Sequence, residues 1–204
     1  PVYEEVFSFD FAAEQALIAD GTVEKPGNLG GNQTKGQGFN AYSVKIRNDY
    51  KGYVSKAGTT LPASAADIDG KECRIWRRTD RFDQDASWNV EGGLNMPNNR
   101  EFAIDGLEAG YIVEITYTGD NSIIWAVGEN DADGNAVGVG EGTPVATATI
   151  DGVEAVPGET AIPSGAKIEL KSVTTAVNGT GGYIVLQVKK GQVISKIAVT
   201  KLAE

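Results

Sequence analysis

Hydrophobic and polar residues alternate along most of this chain, which is the pattern of a β-strand with one buried and one solvated face. The segment 183–200 shows the pattern most clearly. Alternate apolar residues define one face of each of two successive strands: Ile184, Leu186 and Val188, then Val193, Ile197 and Val199. Gly191 and Gln192 lie between the two strands, so we predict that the segment forms a closing antiparallel hairpin.

The same alternation predicts about ten strands joined by turns rich in Gly, Asn and Asp. The predicted strands are 6–11, 42–46, 73–78, 101–104, 111–118, 122–127, 145–150, 166–173 and the two strands of the closing hairpin. Residues 12–19 are predicted as a short helix that ends at Asp20-Gly21, and Asp105-Gly106 as a turn. Strands with one apolar face must cover each other. We therefore predict one domain over residues 1–204, an all-β, two-sheet antiparallel β-sandwich or jelly roll with one short N-terminal helix.

Two segments of the chain are similar, Gly110-Tyr-Ile-Val113 and Gly182-Tyr-Ile-Val185, and each is followed by another Gly nine residues after its first. A duplicated unit would bury the same positions in both copies. The alternation instead buries Val113 in the first segment and Ile184 in the second, and a shift of one residue moves every side chain to the other face. We interpret the segments as two similar hairpins.

Composition limits the class of protein and its partners. With 204 residues, 41% of them hydrophobic, the chain has enough apolar side chains for the core of one domain. Its formal net charge of −10 repels phosphate backbones and anionic lipids. No apolar stretch approaches the roughly 20 residues that span a bilayer. We therefore expect no nucleic-acid partner and no membrane insertion.

The chain has no histidine. This excludes Ser-His-Asp and Cys-His nucleophiles, and it excludes zinc or copper held by His. The one cysteine, Cys73, alternates with apolar Ile75 and is interpreted as a buried structural thiol. We expect a protein that is not an enzyme. A glycoside hydrolase or lyase that uses carboxylates, Tyr or Arg is the remaining catalytic alternative.

The strongest candidate for a binding site is the strand around Trp76. If Cys73 and Ile75 face the core, then Arg74, Trp76 and Arg78 lie on the opposite face. An indole stacks on the apolar face of a sugar ring, and guanidinium groups donate to hydroxyls or carboxylates. The loop that follows adds three residues to the predicted carbohydrate-binding site: Asp80, Trp88 and Asn89. The alternative is that Trp76 packs under a loop or into the second sheet while the arginines pair with nearby Asp residues.

An acidic loop suggests a second kind of site. Glu129, Asp131 and Asp133 are spaced at alternate positions and could offer oxygen ligands to Ca²⁺. An EF-hand loop needs a Glu at its twelfth position, where this chain has Gly140, and no predicted helices flank the loop. Two interpretations stay open, a polar turn between strands and a structural Ca²⁺ site. No other cofactor is expected.

The segments 106–119, 182–188 and 194–199, together with the opening Phe7-Ser-Phe-Asp-Phe11, resemble secreted Bacteroidetes β-sandwich modules. These modules are similar to galactose-binding-like jelly rolls, which are often found beside polysaccharide-degrading enzymes. The resemblance covers roughly the last hundred residues and the first strand. It implies secretion, a carbohydrate-rich niche and a non-catalytic accessory role.

Together these observations predict a non-catalytic carbohydrate-binding module of a secreted or cell-surface protein, with a polysaccharide or oligosaccharide as its partner. The chain begins at Pro1, so we expect a processed or truncated form from which a signal segment has been removed. The alternative function is a structural or protein-interaction β-sandwich with no small ligand.

Overall fold

The computed structural model of this chain describes residues 1–22, 40–43, 73–77, 88–96, 98, 100–130, 132–133, 136–137, 142–174 and 182–204. Within these ranges the strands form two large antiparallel sheets, of seven and five strands, and a small sheet of three. Buried apolar side chains from both large sheets belong to one core cluster. The predicted all-β sandwich with a short N-terminal helix is confirmed.

The elements are, in chain order, β1 (Tyr3–Asp10), α1 (Phe11–Ala19), β2 (Asn40–Ser43), β3 (Cys73–Arg77), β4 (Leu94–Met96), β5 (Arg100–Leu107), β6 (Ile112–Thr118), β7 (Ile123–Val127), β8 (Glu129–Asn130), β9 (Ala136–Val137), β10 (Thr143–Pro144), β11 (Ala146–Ile150), β12 (Val153–Glu154), β13 (Lys167–Val173), β14 (Gly182–Val188) and β15 (Gln192–Leu202). The small sheet has the order β10-β8-β9.

The seven-stranded sheet has the order β1-β15-β6-β13-β11-β12. The eleven-residue strand β15 pairs with β6 along one edge, and with β4 and β1 end to end along the other. Its strands follow the expected alternation. In β6, for example, Val113, Ile115 and Tyr117 are buried, whereas Thr116 and Thr118 are exposed. This sheet therefore has one core face and one solvated face, as the alternating pattern predicts.

A β-bulge in β15 changes which face of that strand is buried near Val193. The pairing with β6 shifts between Ile194 and Lys196, so Ser195 is an extra residue, and its hydroxyl donates to the Thr116 carbonyl at 3.0 Å. Because of this shift Ile194 is buried, and Val193 is only partly covered. The prediction that Val193 shares the buried face of Ile197 was therefore wrong, since a bulge reverses the alternation on one side of it.

The five-stranded sheet has the order β2-β3-β5-β14-β7. The segment 156–162 borders β7 on its other side. Trp125 N–H donates to the Thr160 carbonyl at 2.7 Å, and Ile162 N–H donates to the Ile123 carbonyl at 2.8 Å. Four of the five side chains of β7 are buried. This sheet is covered on both faces at that end, which explains the unbroken apolar run Ile123–Val127.

The predicted closing hairpin is wrong, because β14 and β15 belong to different sheets. β14 pairs with β5 and β7, and β15 pairs with β1, β4 and β6. The first segment behaves in the same way, since β6 lies in the seven-stranded sheet and β7 in the five-stranded sheet. The two similar segments therefore lead into two corners, 119–122 and 189–191, rather than into two hairpins.

The two corners lie side by side and keep one register. Thr118 pairs with Val193 before the corners and Ile123 pairs with Val188 after them, so the same number of residues separates the paired positions on both segments. One antiparallel ribbon therefore bends from one sheet into the other, which is how a jelly roll wraps around its core.

Gln192 joins the two corners. Its buried side-chain amide donates to the Asp120 carbonyl at 2.9 Å and to the Ser122 hydroxyl. Lys189 N–H donates to the Ser122 carbonyl at 2.8 Å. These bonds satisfy the backbone carbonyls of Asp120 and Ser122 where the sheet ladders stop.

The helix α1 begins one residue earlier than predicted and ends as predicted. The Asp10 carboxylate accepts from Ala13 N–H at 2.9 Å and forms the N-cap, and Asp20 is the C-cap. Phe11 is the first residue of the helix rather than the last of the strand, which ends at Asp10. Within the described ranges, no helix has the length and hydropathy needed to cross a membrane.

Two further boundaries differ from the prediction. β5 continues through Asp105 and Gly106 to Leu107, where a turn was predicted. Leu94–Met96, predicted as loop, is a strand whose Leu94 and Met96 side chains are buried. Residues 44–46 of the predicted second strand lie outside the described residues.

Candidate functional site

The strand β3 has the alternation that the sequence predicted. Cys73 pairs with Ile104, a fully buried residue of β5, and Ile75 pairs with Phe102. Residues paired directly across an antiparallel sheet lie on the same face. Cys73 and Ile75 therefore lie on the core face of the sheet, and Arg74 and Trp76 lie on its outer face.

The neighbours of Arg74 and Trp76 on this outer face follow from the register. Trp76 is flanked across the strands by Ala41 and Glu101, and Arg74 by Ser43 and Ala103. We call this group the Trp76 surface: Ala41, Ser43, Arg74, Trp76, Glu101 and Ala103. Trp76 and Arg74 thus lie among two alanines, a serine and one acidic residue. This combination of residue types suits a flat ligand with hydroxyl groups.

The outer face of the five-stranded sheet is covered where the same rows of paired residues continue across β14 and β7. Gln187 of β14 pairs with Glu101 and is only 4% exposed, and Ala126 of β7 is fully buried. A binding surface on this sheet therefore belongs to the side formed by β2, β3 and β5, away from β7.

Trp88 does not belong to this surface. Its side chain is 3% exposed, and its ring stacks on Phe11 with centroids 5.9 Å apart and an angle of 28° between the planes. The helix α1 supplies this cover, with Phe11 as its first residue. The prediction that placed Trp88 at the binding site was therefore wrong. A lone aromatic residue in a polar segment has no periodic pattern that indicates its burial.

The remaining predicted site residues are only partly described. Asn89 is exposed beside the buried Trp88. Arg78 and Asp80 lie outside the described residues. Of the six predicted carbohydrate-binding residues, the described structure thus brings together the backbone positions of Arg74 and Trp76.

The end of the five-stranded sheet adds positions that the sequence argument missed. Trp76 pairs with Glu101, so the adjoining residues Arg77 and Arg100 lie next to each other in the last row. Arg100 also pairs with Val188, which leads directly into exposed Lys189 and Lys190. By the alternation that places Trp76 on the outer face, Arg77 lies on the face of Cys73 and Ile75, and Arg100 pairs with the buried Val188 on that same face. Neither residue therefore lies on the outer face with Trp76.

The predicted calcium residues lie near the small sheet. Glu129 is a buried residue of β8, and its carboxylate accepts from Gly142 N–H at 2.7 Å. Asp133 is exposed in the turn that follows, and Asp131 lies outside the described residues. In the described part of the chain, no three His, Cys, Asp or Glu residues are grouped as metal ligands would be. The calcium site stays a prediction, and the described role of Glu129 is to tie residue 142 to β8.

Comparison with protein-family models, with curated proteins and with solved structures finds no match to this chain.

Proposed function

We propose that this chain is a non-catalytic carbohydrate-binding module of a secreted or cell-surface protein, and that it binds a polysaccharide through the Trp76 surface. The observation that carries the proposal is the register of β3, in which Cys73 and Ile75 share the rows of core residues and Trp76 does not. A tryptophan on the outer face of a sheet offers a large flat apolar area to the underside of a pyranose ring.

The neighbours of Trp76 support this function. The register puts Ala41 and Glu101 on either side of Trp76, and a carboxylate is an acceptor for sugar hydroxyls. Arg74, two residues before Trp76 on the same face, adds a planar donor. Apolar stacking combined with a few polar groups is the usual composition of a site for an uncharged ring.

The test is calorimetric titration of the wild-type protein and the Trp76→Ala variant with a panel of soluble polysaccharides. We expect Trp76→Ala to lower the affinity for the bound glycan about tenfold or more, the size of a lost stacking contact. Tyr3→Ala is the matched control, because Tyr3 is an exposed aromatic residue on the other sheet. Unchanged binding by Trp76→Ala, or an equal loss in Tyr3→Ala, would contradict the proposed site.

A structural or protein-interaction module is the second candidate function. The burial of Trp88, Gln187 and Ala126 favours it, because these positions show that much of the aromatic and outer-face area is used for packing. A folded wild-type protein that binds no member of the glycan panel would favour this second function over the first.

A further inference from the structure

Large apolar side chains are exposed together at one end of the seven-stranded sheet. Among the described residues, three of the six exposed large apolar side chains lie there, and we call this group the apolar end: Val2, Tyr3 and Leu202. Tyr3 pairs with Leu202 across β1 and β15, and the Val2 carbonyl accepts from Ala203 N–H at 2.9 Å. Clustered exposed apolar side chains, unlike scattered ones, indicate a contact with another molecule.

The strand β1 is also an edge of this sheet. It pairs with β15 on one side, and no strand in the described ranges pairs with its other side. In an antiparallel pair, backbone groups alternate between the partner strand and the free side. Because Val2 bonds to Ala203, the N–H and carbonyl of Tyr3 point to the free side. The register shifts between Glu5 and Phe7, so the regular free edge comprises residues 3–5.

Acidic side chains surround the apolar end. The exposed carboxylates are Glu4, Glu5, Glu108 and Glu204. Glu4 pairs with Lys201 at 3.0 Å, and Glu5 forms no ion pair with a described residue. Burial raises the pKa of Tyr111 and the nearby Glu108 raises it further, so Glu108 lies at the same end of the sheet. The surroundings of the apolar end therefore carry net negative charge.

These charges disfavour a second copy of this chain as the partner. If two copies joined their free edges by antiparallel pairing of residues 3–5, the two Glu4 residues would lie opposite each other. Like charges directly opposite each other destabilise a sheet, and each copy has a formal net charge of −10. The same carboxylates attract a strand that carries Lys or Arg.

We propose that the free edge of β1 binds an extended segment of another protein that carries both apolar and basic residues. The segment adds a strand to the seven-stranded sheet. Its backbone pairs with Tyr3, an apolar side chain packs on Tyr3 and Leu202, and a basic side chain binds Glu5. This interaction goes beyond the proposed function and does not depend on it, because the Trp76 surface lies on the five-stranded sheet.

The experiment measures the fluorescence anisotropy of a labelled peptide, Thr-Thr-Lys-Lys-Val-Thr-Thr, on titration with the full chain. In an antiparallel pairing its lysines lie opposite Glu5 and Glu4, and its valine lies opposite Tyr3. We expect it to bind about tenfold more tightly than the same peptide with Gln in place of both lysines. Methylation of the valine backbone nitrogen removes the donor to the Tyr3 carbonyl, and we expect it to lower the affinity about tenfold.

Variants of the protein test the same two contributions. Tyr3→Pro and Tyr3→Ala both remove the ring, but only Tyr3→Pro also removes the N–H on the free edge, where proline is tolerated. We expect Tyr3→Pro to bind the lysine peptide about fivefold more weakly than Tyr3→Ala. Glu5→Gln should lower the affinity about threefold. Glu154→Gln is the matched control, because Glu154 is an exposed carboxylate of β12, the opposite edge of the same sheet.

Weaker binding of the methylated peptide, and of Tyr3→Pro relative to Tyr3→Ala, supports strand addition. If Tyr3→Pro does not fold, the methylated peptide decides. Equal binding of the methylated and unmethylated peptides, or equal losses in Glu5→Gln and Glu154→Gln, means charge attraction without a strand and overturns the inference. Absence of binding at about 1 mM protein overturns it as well. Dimers of the wild type that Tyr3→Pro dissociates would assign the edge to a second copy instead. Glycan binding that is lost in Trp76→Ala is unaffected by any of these results, so the proposed function is tested separately.

Discussion

The two large sheets are built differently, and the difference shows where function can lie. The seven-stranded sheet has one buried face and one solvated face of Thr, Lys and Glu. The five-stranded sheet is covered on both faces at β7 and β14. Trp125 and Gln187 are therefore both buried, although they lie on opposite faces of the sheet. Further from β7, the register of β3 places Arg74 and Trp76 on the outer face of this sheet. A solvated face needs no partner, whereas an aromatic and cationic face is suited to one.

Removing one tryptophan from each environment tests this difference between the sheets. Trp88→Ala removes a buried ring that packs on Phe11, and we expect it to lower the free energy of unfolding by about 3–5 kcal/mol. Trp76→Ala should cost under about 1 kcal/mol, as an outer-face substitution does. Urea denaturation of both variants, followed by circular dichroism, gives the two values. A loss as large for Trp76 as for Trp88 would place Trp76 in the core and end its role as a binding platform.

Two glycines, Gly93 and Gly165, provide a test of the contact between β4 and β15 in the seven-stranded sheet. Gly93 has φ 149°, and a Cβ at this position would fall on the Ile194 carbonyl of β15. Gly165 has φ 79° but no atom near its Cβ direction. We expect Gly93→Ala to destabilise the protein by roughly 3 kcal/mol, from strain and overpacking together, and Gly165→Ala by about 1 kcal/mol, from strain alone.

Thermal unfolding of the two alanine variants measures this difference. Equal melting temperatures would mean that β4 does not approach β15 as closely as the structure shows, and that the seven-stranded sheet ends at β1 on this side.

The smallest expected effect concerns a contact between the two sheets. The Tyr117 hydroxyl of β6 donates to the Ile162 carbonyl, in the segment that borders β7, at 2.6 Å. Tyr117→Phe removes this bond, and we expect a loss of about 1 kcal/mol. Tyr3→Phe, an exposed tyrosine, is the matched control.

Tyr117 also predicts a dependence on pH. Burial raises the pKa of Tyr117 above its ordinary value of 10.0, because the phenolate is poorly solvated in the folded state. The unfolded chain therefore loses this proton first, so the stabilisation is complete below pH 10 and decreases as the pH rises above it. Tyr117→Phe should lose less stability than wild type in urea melts above pH 10. The pKa of Tyr111 is also raised by burial, so some alkaline loss remains in the variant.

Alternation predicted the buried positions of β6 and β14, whereas a bulge made it wrong for Val193 of β15. Val113 and Ile115 are buried in β6, and Ile184 and Leu186 in β14, as the sequence indicated. The difference in phase between the two Gly-Tyr-Ile-Val segments is real, and it has a structural meaning. The segments lie in different sheets, although short turns at 119 and 191 look like hairpin turns in the sequence.

Alternation predicted the candidate site only in part. It predicted a regular strand around Trp76, and β3 pairs with β5 without a bulge. It could not place Trp88, whose burial depends on Phe11 of α1, a residue more than seventy positions away in the sequence. It also could not bring Arg100 beside Arg77, since that contact depends on which strands pair and in which register.

The amino-acid sequence alone was enough to predict an all-β protein, most buried positions of its one-sided strands, and the acidic character of the chain. These properties follow from local periodicity and composition, which need no knowledge of the partner strand. Strand pairing in the fold was needed to show that β14 and β15 separate into two sheets and that Trp88 belongs to the core. The physical reason is that strand pairing joins residues far apart in sequence, and a two-residue turn and a sheet-crossing corner can have the same local residues.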